Sequence, residues 1–409
     1  MKVFKFGGAS VRDAEAFKNV LKIIKSYGHE RLWIVVSAIG KTTNLLEELH
    51  HCWRQRIENS SLWDQLFETH QSIAHELKIP DGKQSWRITW LELLQLQSTM
   101  PTGHFDQTYD QWVSYGEILS TQMLSDLCTL SEVKHSWSDA RTWLMTDKRF
   151  RDARVNWEET QLKIRSTPAG PITITQGFIG CSGENTTTLG REGSDYTAAI
   201  IANVLDAEEV IIWKDVPGML NADPKKFPNA VFIPELTYQE ALELAYYGAS
   251  VIHPKTIQPL KVKNIPLNIR SFIHPEEKGT TVHENCTPHY PVCTIVKENQ
   301  TLLSVSTQDG SFIVEDNIQE IFHHLIQIGI KVQLMENSAL SFSICIQAEE
   351  EKIHALFQSL QSKYGIRFNH PVTLVTLRHY QESDLTPWMS KNILLEQKNR
   401  STVRWILES

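Results

Sequence analysis

Apolar and polar positions fall into two alternating patterns along the first part of the chain. Residues 3–6 form a short apolar run, and residues 13–27 place Phe17, Val20, Leu21 and Ile24 at helical spacing. Residues 32–37 (L-W-I-V-V-S) are almost continuously apolar, as in a strand buried on both faces. A small polar loop follows at 37–44, and the helical pattern resumes at Leu45. Strand, helix, strand, helix in this order predicts a parallel α/β sheet. Residues 50–130 are rich in Trp, Gln and His and poor in β-branched residues, which predicts a helical excursion from that sheet. The alternation returns with strands at 172–175, 209–213 and 267–271 and helices at 196–204 and 238–247.

The pattern changes near 275–290, where a polar stretch containing prolines predicts a boundary. Beyond it come a strand at 301–306, a helix at 317–328, strands at 330–335 and 340–346, and a helix at 350–363. This is a small α+β module. Residues 372–409 offer strands at 372–376, 392–396 and 402–407 without a convincing long helix.

With 409 residues, two or three domains are expected. A net charge of −8 argues against a general nucleic-acid binder. No apolar run reaches the length of a membrane span, and motif chemistry begins by residue 5, so neither a membrane helix nor a cleavable leader is expected, and the chain reads as cytoplasmic. The six cysteines show no C-x-x-C pair and read as reduced thiols. The pairs His50–His51 and His323–His324 lack partners at metal spacing and read as solvated helix faces; no protein metal site is expected.

Candidate chemistry gathers in four loops. Residues 5–10 read K-F-G-G-A-S, a strand end followed by glycines and a helix start. Gly7 and Gly8 would let main-chain N–H groups approach a phosphate, the next helix would aim its positive end there, and Lys5 adds charge. The same residues would equally make a plain tight turn. In residues 186–196, T-T-T-L-G-R-E-G-S-D-Y, Arg191 could hold a carboxylate by two parallel hydrogen bonds, while Ser194 or Asp195 could simply cap the helix. Residues 214–224 (K-D-V-P-G-M-L-N-A-D-P) begin past a strand's carboxyl end, where open α/β sheets bind ligands. Ser37, Thr43 and Asn44 offer polar groups beyond the second strand, and Glu117 is a single acid in a helical pattern.

Together K-F-G-G-A-S, V-V-S-A-I-G-K-T-T-N-L-L, S-Y-G-E-I-L-S-T, T-Q-G-F-I-G, T-T-T-L-G-R-E-G-S-D-Y-T-A-A, K-D-V-P-G-M-L-N-A-D-P and G-A-S-V-I-H-P-K-T-I resemble the aspartate kinase family, in its order and spacing over residues 1–282. The resemblance implies the amino-acid-kinase fold over 1–283, an ACT-like regulatory module at 290–371 and an abbreviated second one at 372–409. It implies transfer of the γ-phosphoryl of ATP to the side-chain carboxylate of L-aspartate, the entry to lysine, threonine and methionine biosynthesis, with magnesium carried by the nucleotide. Lys5 and Asp195 would be catalytic, and Gly7, Gly8 and Ser10 would form the phosphate loop. Ser37, Thr43, Glu117, Phe178, Arg191 and Ser194 would bind aspartate, Glu117 taking the ammonium and Arg191 a carboxylate. Lys214, Asp215 and Lys225 would bind ATP. Gln333 and Ser338 would flank an effector site for lysine or threonine. A homodimer or higher homo-oligomer, monofunctional and without a membrane or nucleic-acid partner, is implied as well.

Four departures from the family pattern stand out. Ala9 replaces a threonine, Glu192 a glycine, and Ser250 a nucleotide-contacting lysine that Lys255 would have to replace; the second module is short. Two other readings stay open: a kinase of the same fold acting on another acidic amino acid or small anion, and a catalytically weak regulatory protein that binds amino acids.

Overall fold

The computed structural model describes residues 1–248, 252–286 and 289–408. They divide into two compact units. The first holds residues 1–219, 234–246 and the described residues of 252–286; the second holds 220–233, 247–248 and 289–408.

In the first unit β1 (Lys2–Phe6) leads through a 3-10 turn at Gly8–Val11 into α1 (Ala14–Ser26). Asp13 caps that helix by accepting from the Ala16 N–H at 2.8 Å. One of the free N–H groups at the start of α1 is therefore satisfied by the capping carboxylate. β2 (Leu32–Val36) is buried at every position, as its apolar run predicts. The excursion is four helices, α2 (Thr42–Gln55), α3 (Ser60–Glu76), α4 (Trp86–Gln97) and α5 (Phe105–Leu130). Their tryptophans pack together, Trp53, Trp63 and Trp112 among them. His50 is buried in this cluster against Trp53 and Phe105, and burial pushes its pKa down to about 4. His50 thus departs from the solvated reading: it is a neutral core residue.

β3 (Ser136–Ser138), α6 (Trp157–Ser166), β4 (Ile172–Gln176), the hairpin β5 (Ile179–Ser182) and β6 (Asn185–Thr188), α7 (Gly193–Val204) and β7 (Glu209–Lys214) follow. The two-residue strands β8 (Met219–Leu220), β9 (Phe232–Ile233) and β10 (Glu235–Leu236) precede α8 (Tyr238–Tyr247), α9 (Pro254–Val262), β11 (Leu267–Ser271) and β12 (Thr280–Val282). The eight-stranded sheet runs β10-β12-β11-β7-β1-β2-β4-β3, parallel except between β11 and β12. Chain order turns around at β1, with β2 on one side and β7 on the other. Ligands of open α/β sheets bind at such a switch point, beyond the carboxyl ends of the strands.

The second unit carries a six-stranded antiparallel sheet. Its elements are β13 (Cys293–Thr307), α10 (Glu315–Ile328), β14 (Val332–Asn337), β15 (Phe342–Ile346), α11 (Glu350–Leu360), β16 (Tyr364–Arg378), α12 (Glu382–Met389), β17 (Ile393–Lys398) and β18 (Thr402–Glu408), and the strand order is β14-β15-β13-β16-β18-β17. β13 and β16 each run for 15 residues and pair along most of their length. The order reads the same from either edge: two short strands, then one long one. One half uses Thr301–Thr307 of β13, and the other uses Cys293–Lys297 paired to the second half of β16. The C-terminal half thus takes a strand from 293–297, outside residues 372–409. It also contains a helix, α12, held by a reciprocal box between Gln381 and Asp384. Pro387 and the brevity of α12 hid it from a periodicity reading. Among the described residues no helix is long and apolar enough to cross a membrane.

Candidate active site

The carboxyl ends of β1, β2 and β4 and the start of α7 enclose a cavity of about 450 Å³ in the first unit. Lys5, the fourth residue of β1, reaches its floor. Its ammonium lies 2.7 Å from Asp195 Oδ1, while Lys214 Nζ, at the end of β7, lies 3.4 Å from Asp195 Oδ2. Asp195 is fully buried. Burial alone would raise its pKa, but the two ammoniums outweigh it and hold the carboxyl below its ordinary value. Neither Ser194 nor Asp195 caps α7. The capping position belongs to Glu192, and no side chain closes the helix start. Gly193 and Ser194 line the cavity there, so the positive end of α7, rather than of α1, meets the site.

Gly8 has a steric reason to be glycine. A Cβ on it would lie 2.9 Å from the Ala38 carbonyl and 3.0 Å from that of Gly40, so the loop after β2 closes over it. Gly7 has an ordinary extended backbone, and a Cβ there would meet only Lys5 Nζ, at 3.4 Å. Ser10 is buried and donates its hydroxyl to the Trp213 carbonyl at 3.4 Å; it does not line the cavity.

Glu117 arrives from the middle of α5. Gly116 beside it lets the helix press on the loop after β2, since a Cβ there would sit 2.9 Å from Ala38 Cβ. Glu117 Oε1 accepts from the Ala38 N–H at 3.3 Å, and Oε2 has no hydrogen-bond partner among the described residues. Burial raises the pKa to about 8, with the Ala38 bond and Lys5 opposing. A buried carboxylate oxygen without a donor, facing a cavity, is suited to an incoming cation. Ser37, Thr43, Phe178 and Arg191 also line the cavity. Phe178 has φ of +70°, and its N–H donates to Thr197 Oγ1 at 3.0 Å. Arg191 is exposed and no carboxylate lies in ion-pair range among the described residues, Glu192 included. Glu192 sits at φ +55°, where glycine is favoured.

The remaining expected residues lie elsewhere. Asp215 follows β7 but does not line the cavity. Lys225 belongs to the second unit, in a turn where its N–H donates to Asp223. Ser250 lies outside the described residues, and Lys255 is engaged by Asp152 and the Leu189 carbonyl. Gln333, on β14, accepts from Lys297 at 2.6 Å, and Ser338 bonds Ser341 across the turn after it. Among the described residues no group of three metal-binding side chains occurs.

Two residues that motif reading missed are prominent. Asp110 of α5 is fully buried and accepts from the Arg151 N–H at 3.0 Å and from the Thr188 N–H and hydroxyl, each at 2.8 Å. It ties the 149–152 loop to β6. Arg151 lines the cavity, with its guanidinium 4.2 Å from the Tyr109 ring centre. Arg151 lies in the stretch 131–170, which shows no strong periodicity, and Asp110 is a single acid in the helical pattern of α5.

The model for the amino acid kinase family matches residues 1–271. Aspartokinase 2 of Arabidopsis thaliana, a chloroplastic protein, is 31% identical over 363 residues, covering 84% of this chain and 66% of that protein. A bifunctional aspartokinase/homoserine dehydrogenase from the same plant is 31% identical over 89% of this chain, which spans 42% of its length. The chain thus spans less than two thirds of these relatives. Among solved structures, E. coli aspartokinase III in complex with aspartate and ADP superposes with a TM-score of 0.84 at 27% identity, covering 100% of this chain and 96% of that one. The same protein with lysine and aspartate gives 0.81.

Proposed function

We propose that this chain, which belongs to the amino acid kinase family, is an aspartate kinase that moves the γ-phosphoryl of ATP to the side-chain carboxylate of L-aspartate, giving 4-phospho-L-aspartate and ADP. The observation that carries the reading is one cavity lined by a buried acid, Glu117, an exposed guanidinium, Arg191, and a lysine, Lys5, set between strand ends. Glu117 with Arg191 describes the ammonium and one carboxylate of a free amino acid. The second carboxylate, with a pKa near 3.9, is already a nucleophile at neutral pH and needs no general base. The difficulty is bringing it against polyanionic ATP, which enters with its own magnesium. Lys5, oriented by Asp195, and the uncapped start of α7 supply positive potential, and the Gly8 turn supplies close main-chain approach. The solved complex of E. coli aspartokinase III with aspartate and ADP supports this reading. Lys214, at the end of β7, and Asp215 after it would serve the nucleotide.

The second unit is read as the amino-acid-sensing, ACT-like region of a homo-oligomer at the entry to lysine, threonine and methionine synthesis, with lysine or threonine as effector. E. coli aspartokinase III solved with lysine supports an effector of this class. In this chain Lys297 already occupies the Gln333 amide oxygen, so a free lysine's ammonium would compete for it.

Hydroxylamine traps an acyl phosphate as a hydroxamate. With ATP and magnesium, an L-aspartate-dependent hydroxamate is expected and an L-glutamate-dependent one is not. Folded protein that forms neither would overturn the assignment.

A further inference from the structure

Two charged residues on the rim of this cavity hold backbone conformations that glycine favours: Arg151 at φ +64° and Glu192 at φ +55°. Left-handed geometry is unfavourable for side-chain-bearing residues, and such strain persists where surroundings impose it and function keeps it. The two positions belong to touching loops. A Cβ on Gly190 would lie 3.0 Å from the Arg151 carbonyl and 2.9 Å from Asp152 Oδ1, and Lys255 binds both Asp152 and the Leu189 carbonyl.

The surroundings fix the Arg151 backbone and, among the described residues, pair its guanidinium only with solvent-exposed acids. Its N–H is fixed by both oxygens of buried Asp110, and its guanidinium stacks on Tyr109. Its nearest acids are Asp106 at 3.5 Å and Glu47 at 4.0 Å, both well exposed and solvent-screened. The guanidinium is thereby held at the cavity rim by ion pairs that water screens and that an entering carboxylate can displace. Meanwhile Glu192, adjacent in sequence to Arg191, adds a negative charge to the rim where an amino acid with two carboxylates and a net charge of −1 must enter.

We propose that Arg151 is a second carboxylate-binding residue of the amino-acid substrate, working beside Arg191 and offsetting the charge of Glu192. The inference rests on the aspartate kinase reading. Arg191 and Arg151 together hold the carboxylate that is not phosphorylated, which leaves the other free to meet the phosphoryl group near Lys5. No bond is made or broken at Arg151; its contribution is to binding and discrimination.

Steady-state kinetics of Arg151→Gln, Arg151→Lys and Arg151→Gly, alone and combined with Glu192→Gly, test this. Arg151→Gln is expected to raise the KM for L-aspartate about 10- to 100-fold, with kcat and the KM for ATP changed less than about threefold. Arg151→Lys should recover part of the loss. Arg151→Gly relieves the strained backbone, so it should keep or raise the melting temperature while still losing aspartate affinity, a combination that a structural role alone would not give. Glu192→Gly in the Arg151→Gln background should lower the aspartate KM again. A folded, active Arg151→Gln enzyme with unchanged aspartate KM, or with only its ATP KM altered, would overturn the inference and leave the kinase reading standing. Wild-type protein without aspartate-dependent turnover would overturn both.

Discussion

Lys5 Nζ stands 2.7 Å from Asp195 Oδ1, and both side chains are shut away from solvent beneath the cavity. The pair links β1 to the first turn of α7, so one contact sets both the direction of the ammonium and the docking of the helix. Lys5→Ala should lower kcat by about 10³-fold, as removal of preorganised charge at a phosphoryl-transfer site does, and should lower the melting temperature as well, with Lys214 still facing Asp195. Hydroxamate assays with parallel circular dichroism would check it, and near-normal turnover would remove Lys5 from its role. Asp195→Asn strands two ammoniums and should cost both activity and about 3–5 kcal/mol of stability.

Glu117 predicts an unusual pH dependence. Its carboxyl has an ordinary value of 4.5 and rises to about 8 in the fold. Between these values the folded chain holds a proton that the unfolded chain has released, so this group's contribution to stability is full below pH 4.5 and declines as pH rises toward 8. Glu117→Gln abolishes that decline. The variant should melt higher than wild type at pH 8, by a margin that shrinks at pH 5, while losing aspartate binding. In wild type, kcat/KM for aspartate should climb with pH up to about 8, as the carboxylate forms that meets the ammonium.

Gly7 and Gly8 make a matched pair of tests. Gly8→Ala drives a methyl into two backbone carbonyls and should cost about 1–3 kcal/mol together with most activity. Gly7→Ala meets only the tip of Lys5, so it should fold normally and lose activity alone. Thermal melts beside turnover separate the two, and equal melting losses would contradict the geometry.

Glu192→Gly should stabilise the protein by about 1 kcal/mol, because the position already adopts the left-handed conformation. A melting temperature unchanged or lowered would show that the Glu192 side chain makes compensating contacts.

What the sequence made legible depended on the kind of signal. The parallel strands announced themselves as apolar runs, and all of β2 is buried as its composition demands. Lys5, Asp195 and Arg191 were visible as polar residues crowded at strand ends. By pattern alone Glu117 was only a single acid in a helix, because one charge says nothing about what packs against it; its neighbour Gly116 held the clue, being small enough to bring the helix onto Ala38. Arg151 carried no signal, since a left-handed loop residue has no periodicity. The first part of β13 was missed because Lys297, Glu298, Asn299 and Gln300 interrupt its apolar pattern, and α12 because eight residues with an internal proline fall below what a helical period can reveal.

The long strands β13 and β16 belong to both halves of the six-stranded sheet. A break in the chain between residues 371 and 372 would therefore cut through β16 rather than detach a module. The halves are not separable cassettes: neither could be grafted, deleted or exchanged without leaving the other an open, unpaired edge. The register of one half is therefore set by the same two strands as the register of the other, across an irregularity at 297–302 where the ladder shifts.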